Sequence, residues 1–203
     1  MKITKIEAQK NIERVNIYID GEFAFGLAKE IQLKYGLSED MEIDKNFIDE
    51  VLLAEERLKA KDKALRFLSY RQRSYKEVLD KLKKEGFSQE IINSTMDFLK
   101  NYKLIDDLCF ARNFMMDKSN INKYGPVRIK YELYNKGIPE NIIDQVLEEY
   151  DDEYSVALEL AKKKIKSYKN DDKNAIYRKL GGFLQRRGFS YECISKILRE
   201  LVK

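Results

Sequence analysis

Histidine is absent from all 203 residues, which removes the commonest general base and the commonest metal ligand. Cysteine is almost absent. Cys109 and Cys193 are the two present; each lies within an apolar helical pattern and reads as a small core residue rather than half of a disulfide or metal pair. That usage suits a reduced setting, and the cytoplasm is the expected one. No glycine-rich loop that could cradle a phosphate precedes a helix pattern, and no spaced cysteine cluster could hold zinc. No apolar run reaches 18 residues, so no membrane span is expected. The start, Met1 to Glu7, lacks the apolar stretch of a signal peptide. A catalytic set, a metal and a cofactor are therefore not expected, and neither is an enzyme.

What is present is a glycine-centred pattern at one fixed distance. Gly86, Gly137 and Gly188 stand 51 positions apart. Each has an apolar residue eight positions earlier (Val78, Ile129, Leu180) and a leucine four earlier (Leu82, Leu133, Leu184). Apolar residues follow at matching places: Phe87, Ile92 and Met96; Ile138, Ile143 and Leu147; Phe189, Ile194 and Leu198. A fixed period with a kept apolar frame marks a repeat architecture. About three helices fit each period, which favours tandem three-helix units over two-helix solenoids. The expected fold is mainly α: three tandem three-helix repeats in an elongated array over 53–103, 104–153 and 154–203, preceded by a small N-terminal part, 1–52, with a β-hairpin.

Local signals fill in that frame. Val15 to Ile19 alternates as a half-buried strand does, and Asp20-Gly21 before Glu22 to Phe25 predicts a two-residue hairpin turn. A short helix is expected over 26–35, with Leu27 and Ile31 inward and Gly36 as its stop. From Asp44 onward the spacing is helical, with the number of helices before Ser74 left open. Ser74 and Glu77 form a capping box, and Ser88 and Ser190 are matching caps. Gly125-Pro126 and Pro139 suit helix starts in the second period. Asp106-Asp107 and Asp151-Asp152-Glu153 read as helix-start charges and solvated turns rather than metal ligands. The run Lys162 to Lys166 reads as an exposed helix end, and Asn170 to Lys173 as a loop.

Charge is unevenly shared. Residues 1–52 carry a net −4, residues 53–103 +5, residues 104–153 −5 and residues 154–203 +8. The repeats thus share a core pattern but not a surface, as suits docking on a large charged partner. Arg71 and Arg73 lie just before the Ser74 cap, where a turn would present both guanidinium groups outward to carboxylate or phosphate. Arg186 and Arg187 precede Gly188 as Lys83 and Lys84 precede Gly86, where interaction with a helix C-terminus also explains them. Tyr70, Tyr75, Tyr124 and Tyr177 lie near these turns, in positions equally suited to half-buried packing and to an interface.

The run Ala60-x3-Ala64-Leu65-x2-Leu68-x2-Arg71-x-Arg73-Ser74-x2-Glu77-Val78-x2-Lys81-Leu82-x3-Gly86-Phe87 resembles the first repeat of the RecX regulatory proteins. Leu104-Ile105-Asp106-Asp107 with Phe110-Ala111, then Gly125-x3-Ile129-x3-Leu133-x3-Gly137-Ile138, fit the second repeat. Phe183-Leu184-x2-Arg187-Gly188-Phe189-Ser190 is similar to the terminal one. The resemblance runs from about Leu58 to the end and is loose over residues 1–50. It implies a bacterial modulator of the recombinase RecA that binds the RecA–DNA filament, in its groove or at an end, and inhibits ATP hydrolysis and strand exchange. Arg71, Arg73, Lys123, Arg128, Lys130, Arg186 and Arg187 are then the candidate contacts to acidic filament surface or bound DNA, made by a monomer. The alternatives are an array that binds single- or double-stranded DNA without RecA, and a helical scaffold for another protein.

Overall fold

The computed structural model describes residues 1–150 and 152–202. The chain divides into two compact units, residues 1–70 with 79–101 and residues 71–78 with 102–203.

The first unit begins with an antiparallel sheet in the order β1 (Ile3–Ala8), β2 (Arg14–Ile19), β3 (Glu22–Ala28). Asp20 and Gly21, with φ of 49° and 91°, make the expected tight turn between β2 and β3, because both central residues of such a turn need positive φ. Two expectations change here. The sheet has a third strand, as β1 pairs Ile6 with Ile17 and Ala8 with Val15. The helix expected over 26–35 is shorter, since Gly26 and Leu27 continue β3 opposite Asn16 and Val15, leaving α1 only Lys29–Lys34. Leu27 is inward as expected, but from a strand. Ile3, Val15, Ile17, Leu27, Ile31, Leu37, Ile43 and Val51 form one core.

A single helix, α2 (Lys45–Ser69), answers the open question of how many precede Ser74. Asp44 caps it by accepting from the Phe47 amide at 2.8 Å. Its Glu55 is buried against the sheet, accepting from the Ala28 amide at 2.8 Å and pairing with Arg14 at 2.9 Å and Lys59 at 3.3 Å. A buried carboxylate is tolerated only with such partners. After α3 (Tyr75–Lys84), α4 (Gln89–Asn101) buries Ile91, Ile92, Thr95, Met96 and Leu99.

The second unit holds the second and third periods. In the second, α5 (Asp107–Asn120), α6 (Pro126–Asn135) and α7 (Glu140–Glu148) enclose Phe110, Ala111, Met115, Ile129, Leu133, Ile138, Ile143 and Val146. In the third, α8 (Glu153–Ile165), α9 (Lys173–Arg187) and α10 (Tyr191–Leu201) enclose Ala157, Leu180, Leu184, Ile197 and their neighbours. The fold is thus mainly helical, with ten α-helices and one short sheet among the described residues. Asp106 caps α5 and Asp152 caps α8, as helix-start charges should, whereas Asp151 lies outside the described residues. Cys193 is core, and burial beside Glu153 pushes its thiol up to about 11. Cys109 is only half-buried, with the Gln72 side-chain amide donating to its sulfur at 3.3 Å. The expectation of a core residue fails there because the α5 position it occupies is open to the turn before α3.

Candidate partner interface

Two joints tie the periods together within the second unit, and they use equivalent positions. At the first, the N-terminus of α3 meets the C-terminus of α6. Ser74 is buried; its Oγ accepts from the Glu77 amide at 3.2 Å and donates to the Lys136 carbonyl at 2.8 Å. The Glu77 carboxylate completes the capping box by accepting from the Ser74 amide at 3.2 Å. It also takes hydrogen bonds from Arg71 at 3.0 and 3.3 Å and from Lys136 at 2.9 Å. Burial acts to raise the Glu77 carboxyl, but the hydrogen bonds from Arg71 and Lys136, the Lys136 charge and the Ser74 amide outweigh it and hold the group at about 2. At this joint one carboxylate serves two cations.

Fifty-one residues on, the N-terminus of α6 meets the C-terminus of α9. Gly125 donates its amide to the Arg187 carbonyl at 2.8 Å, and Val127 donates to the Gly188 carbonyl at 3.0 Å. Gly125 stands where Ser74 stood, Arg128 where Glu77 stood and Arg187 where Lys136 stood. The backbones meet so closely that a Cβ on Gly188 would lie 2.2 Å from the Arg128 Cβ, and one on Gly125 would lie 2.3 Å from the Gly188 carbonyl oxygen. Only glycine fits at either place.

The charge at this second joint is reversed at the key position. Arg128 stacks 3.8 Å from the Tyr124 ring centroid, pairs with Glu132 at 3.2 Å and donates to the Arg186 carbonyl at 3.0 Å. Arg187 lies 5.8 Å from the same ring centroid and donates to the Asn122 carbonyl at 2.5 Å. Lys118, 5.5 Å from that ring centroid, also pairs with Glu132, at 3.1 Å. Arg186 is exposed, and Lys123 is half-buried with φ of +53°. Three cations thus surround one tyrosine, two of them sharing Glu132 as ion-pair partner, and Lys123 and Arg186 adjoin the cluster in sequence.

The seven expected contact residues separate accordingly. Arg128, Arg186 and Arg187 come together at the second joint, and Lys123 sits beside Tyr124 in its connecting turn. Arg71 is exposed as expected, but its guanidinium is paired with the Glu77 carboxylate across the cap. Arg73 is half-buried, and desolvation with the neighbouring Arg71 charge lowers its pKa. Lys130 is held in ion pairs with Asp144 at 2.8 Å and Glu140 at 3.3 Å. Sequence reading passed over Lys118 and Asn122. Superposing the periods at 51 residues would have exposed the Glu77-to-Arg128 reversal, but not Lys118, whose approach depends on how α5 packs.

Comparison with known proteins covers almost the whole chain. The family model described as the regulatory protein RecX N-terminal domain matches residues 1–44. Those for the first, second and third RecX three-helix domains match 60–99, 106–147 and 151–198. The chain is 40% identical over 203 residues to the regulatory protein RecX of Clostridioides difficile (strain 630), covering 98% of this chain and 95% of that one. It is 38% identical to that of Clostridium perfringens (strain 13 / Type A), over 98% and 96%. A crystal structure of regulatory protein RecX superposes with a TM-score of 0.78 at 31% identity, covering 98% of each chain. That of RecX from Lactobacillus salivarius gives 0.68 at 33% identity, over 73% of this chain and 97% of that one.

Proposed function

The chain belongs to the RecX family of regulatory proteins, and from that premise we propose that it regulates the recombinase RecA without catalysis, docking on the RecA–DNA filament and inhibiting ATP hydrolysis and strand exchange. The observation that carries this reading is the second joint. Arg128, Arg187 and Lys118 crowd Tyr124, and Arg128 stands at the place where the first joint carries Glu77. Arginine forks over an aromatic ring are suited to carboxylate or phosphate on a large partner. Relatives carry the name of regulators, and the chain has no histidine with which to build the commonest acid–base machinery. No helix among the described residues is long and apolar enough to cross a membrane.

The test adds the purified protein to RecA on single-stranded DNA and follows ATP hydrolysis and strand exchange. Both should fall at stoichiometric protein. Unchanged rates would end the proposal. The same cationic joint favours one second reading, direct binding to DNA phosphates without RecA. Tight binding to bare DNA that weakens steeply with salt would select it. The net −5 of residues 104–153 weighs against a continuous phosphate track.

A further inference from the structure

The third period has an open groove between α9 and α10, of roughly 610 Å³. Ile194 and Leu198 lie along it beside Gly181, and Tyr177, Tyr191 and Val127 border it. Tyr191 is 87% exposed, Val127 58% and Tyr177 48%, so a large apolar and aromatic surface is left in water. Surfaces of that kind mark binding sites more often than scattered single residues do.

The other two periods carry polar pairs at the corresponding positions. One period earlier, Lys130 replaces Gly181, Glu140 replaces Tyr191 and Asp144 replaces Ser195. The Lys130 ammonium reaches both carboxylates, at 3.3 and 2.8 Å, and so ties α6 to α7. Two periods earlier, Gln89 and Asn93 occupy the Tyr191 and Ser195 places and hydrogen-bond at 2.7 Å. In the third period, glycine, tyrosine and serine leave the groove without such a bridge.

We propose that this groove docks an acidic protein segment that inserts one large apolar side chain over Gly181. Charge selects the occupant. Among the described residues Arg178 is the one charged residue lining the groove and no carboxylate lines it, and residues 154–203 carry a net +8. The aliphatic side chains select a protein segment over single-stranded nucleic acid. Bases stack on open aromatic faces along a track of several cations, whereas Ile194, Leu198 and Val127 offer a pocket with one arginine. None of the joint arginines lines the groove, so this inference stands or falls apart from the RecA reading.

The test transplants the second period's bridge into the third, as Gly181→Lys with Tyr191→Glu and Ser195→Asp. A Cβ at Gly181 meets only Leu198 Cδ1, at 3.2 Å, so the lysine requires that side chain to shift by a few tenths of an ångström. A phage-displayed library of random dodecapeptides is panned on the full-length chain and counter-selected on the triple variant. Enriched peptides should combine several carboxylates with an aromatic residue or leucine. By fluorescence anisotropy they should bind the unaltered chain at least tenfold more tightly than the triple variant. The single substitution Arg178→Glu, at an exposed position that leaves the core untouched, should weaken them similarly. No enrichment, peptides that bind unaltered and Arg178→Glu chains equally, or a twelve-nucleotide oligo-dT that outcompetes them would each overturn the proposal.

Discussion

Glu77 shows how much one side chain can hold. It accepts from the Ser74 amide, from Arg71 and from Lys136, and so closes a cap and a joint together. A carboxyl held at about 2 against an ordinary 4.5 stabilises the fold fully above pH 4.5, and the contribution is lost as pH falls toward 2. The difference corresponds to on the order of 3 kcal/mol. Glu77→Gln should therefore cost up to about 3 kcal/mol at neutral pH and flatten the stability profile between pH 4.5 and 2, as urea unfolding at several pH values will measure. An unaltered profile would mean that Arg71 and Lys136 do not hold this carboxylate. Arg71→Glu brings a second carboxylate to the same place, so it weakens the fold and is a poor probe of partner binding. Thr95 offers the opposite case. Its buried hydroxyl, on α4, has no hydrogen-bond partner among the described residues, and such a group costs about 1–3 kcal/mol. Thr95→Val should raise the guanidinium midpoint by the equivalent of roughly 1 kcal/mol, and a lowered midpoint would show that the hydroxyl is satisfied.

At the scale of elements, three glycines that look alike in sequence do different things. Gly86, Gly137 and Gly188 all take positive φ, at 85°, 73° and 85°, and each ends the middle helix of its period. Gly86 has nothing within 4 Å of a built Cβ, whereas Gly188 faces the α6 backbone and Arg128. Gly86→Ala should cost only the left-handed backbone penalty of about 1–2 kcal/mol. Gly188→Ala adds overpacking of roughly 1–3 kcal/mol. Parallel thermal melts of the two variants will check this, and equal losses would show that α6 does not press on Gly188. The helix stops were legible in the sequence because a glycine closing an apolar helical pattern is a local signal. Their second role was not, because which helix end arrives at a stop is set by packing between periods. The same distinction explains the N-terminal region. The Asp20-Gly21 turn announced β2 and β3 through two residues, while β1 depends on pairing Ile3 to Ala8 with a strand reached across a loop.

At the scale of the whole chain, the apolar frame recurs every 51 residues while the charges placed on it change sign. The period, the three-helix content and most caps could be read from the sequence because they rest on spacing. The choice among seven candidate cations could not, since Arg71 and Lys130 have carboxylate partners six and fourteen residues away. Lys123 and Arg186 are the members best suited to an outside contact. Neither forms an ion pair among the described residues, and Arg186 is exposed on the last turn of α9. Their neighbour Arg187 is held by a backbone carbonyl, which leaves its charge in place, while Arg128 shares Glu132 with Lys118. Lys123→Glu with Arg186→Glu should therefore leave the melting temperature within a few degrees of the parent and weaken inhibition of RecA at least tenfold. The deficit should narrow as salt rises, because screened charges contribute less on both sides of the comparison. If that pair instead weakens bare-DNA binding and lowers its salt slope by about two, the contacts are to phosphate. Full inhibition by the double variant would remove the second joint from the interface.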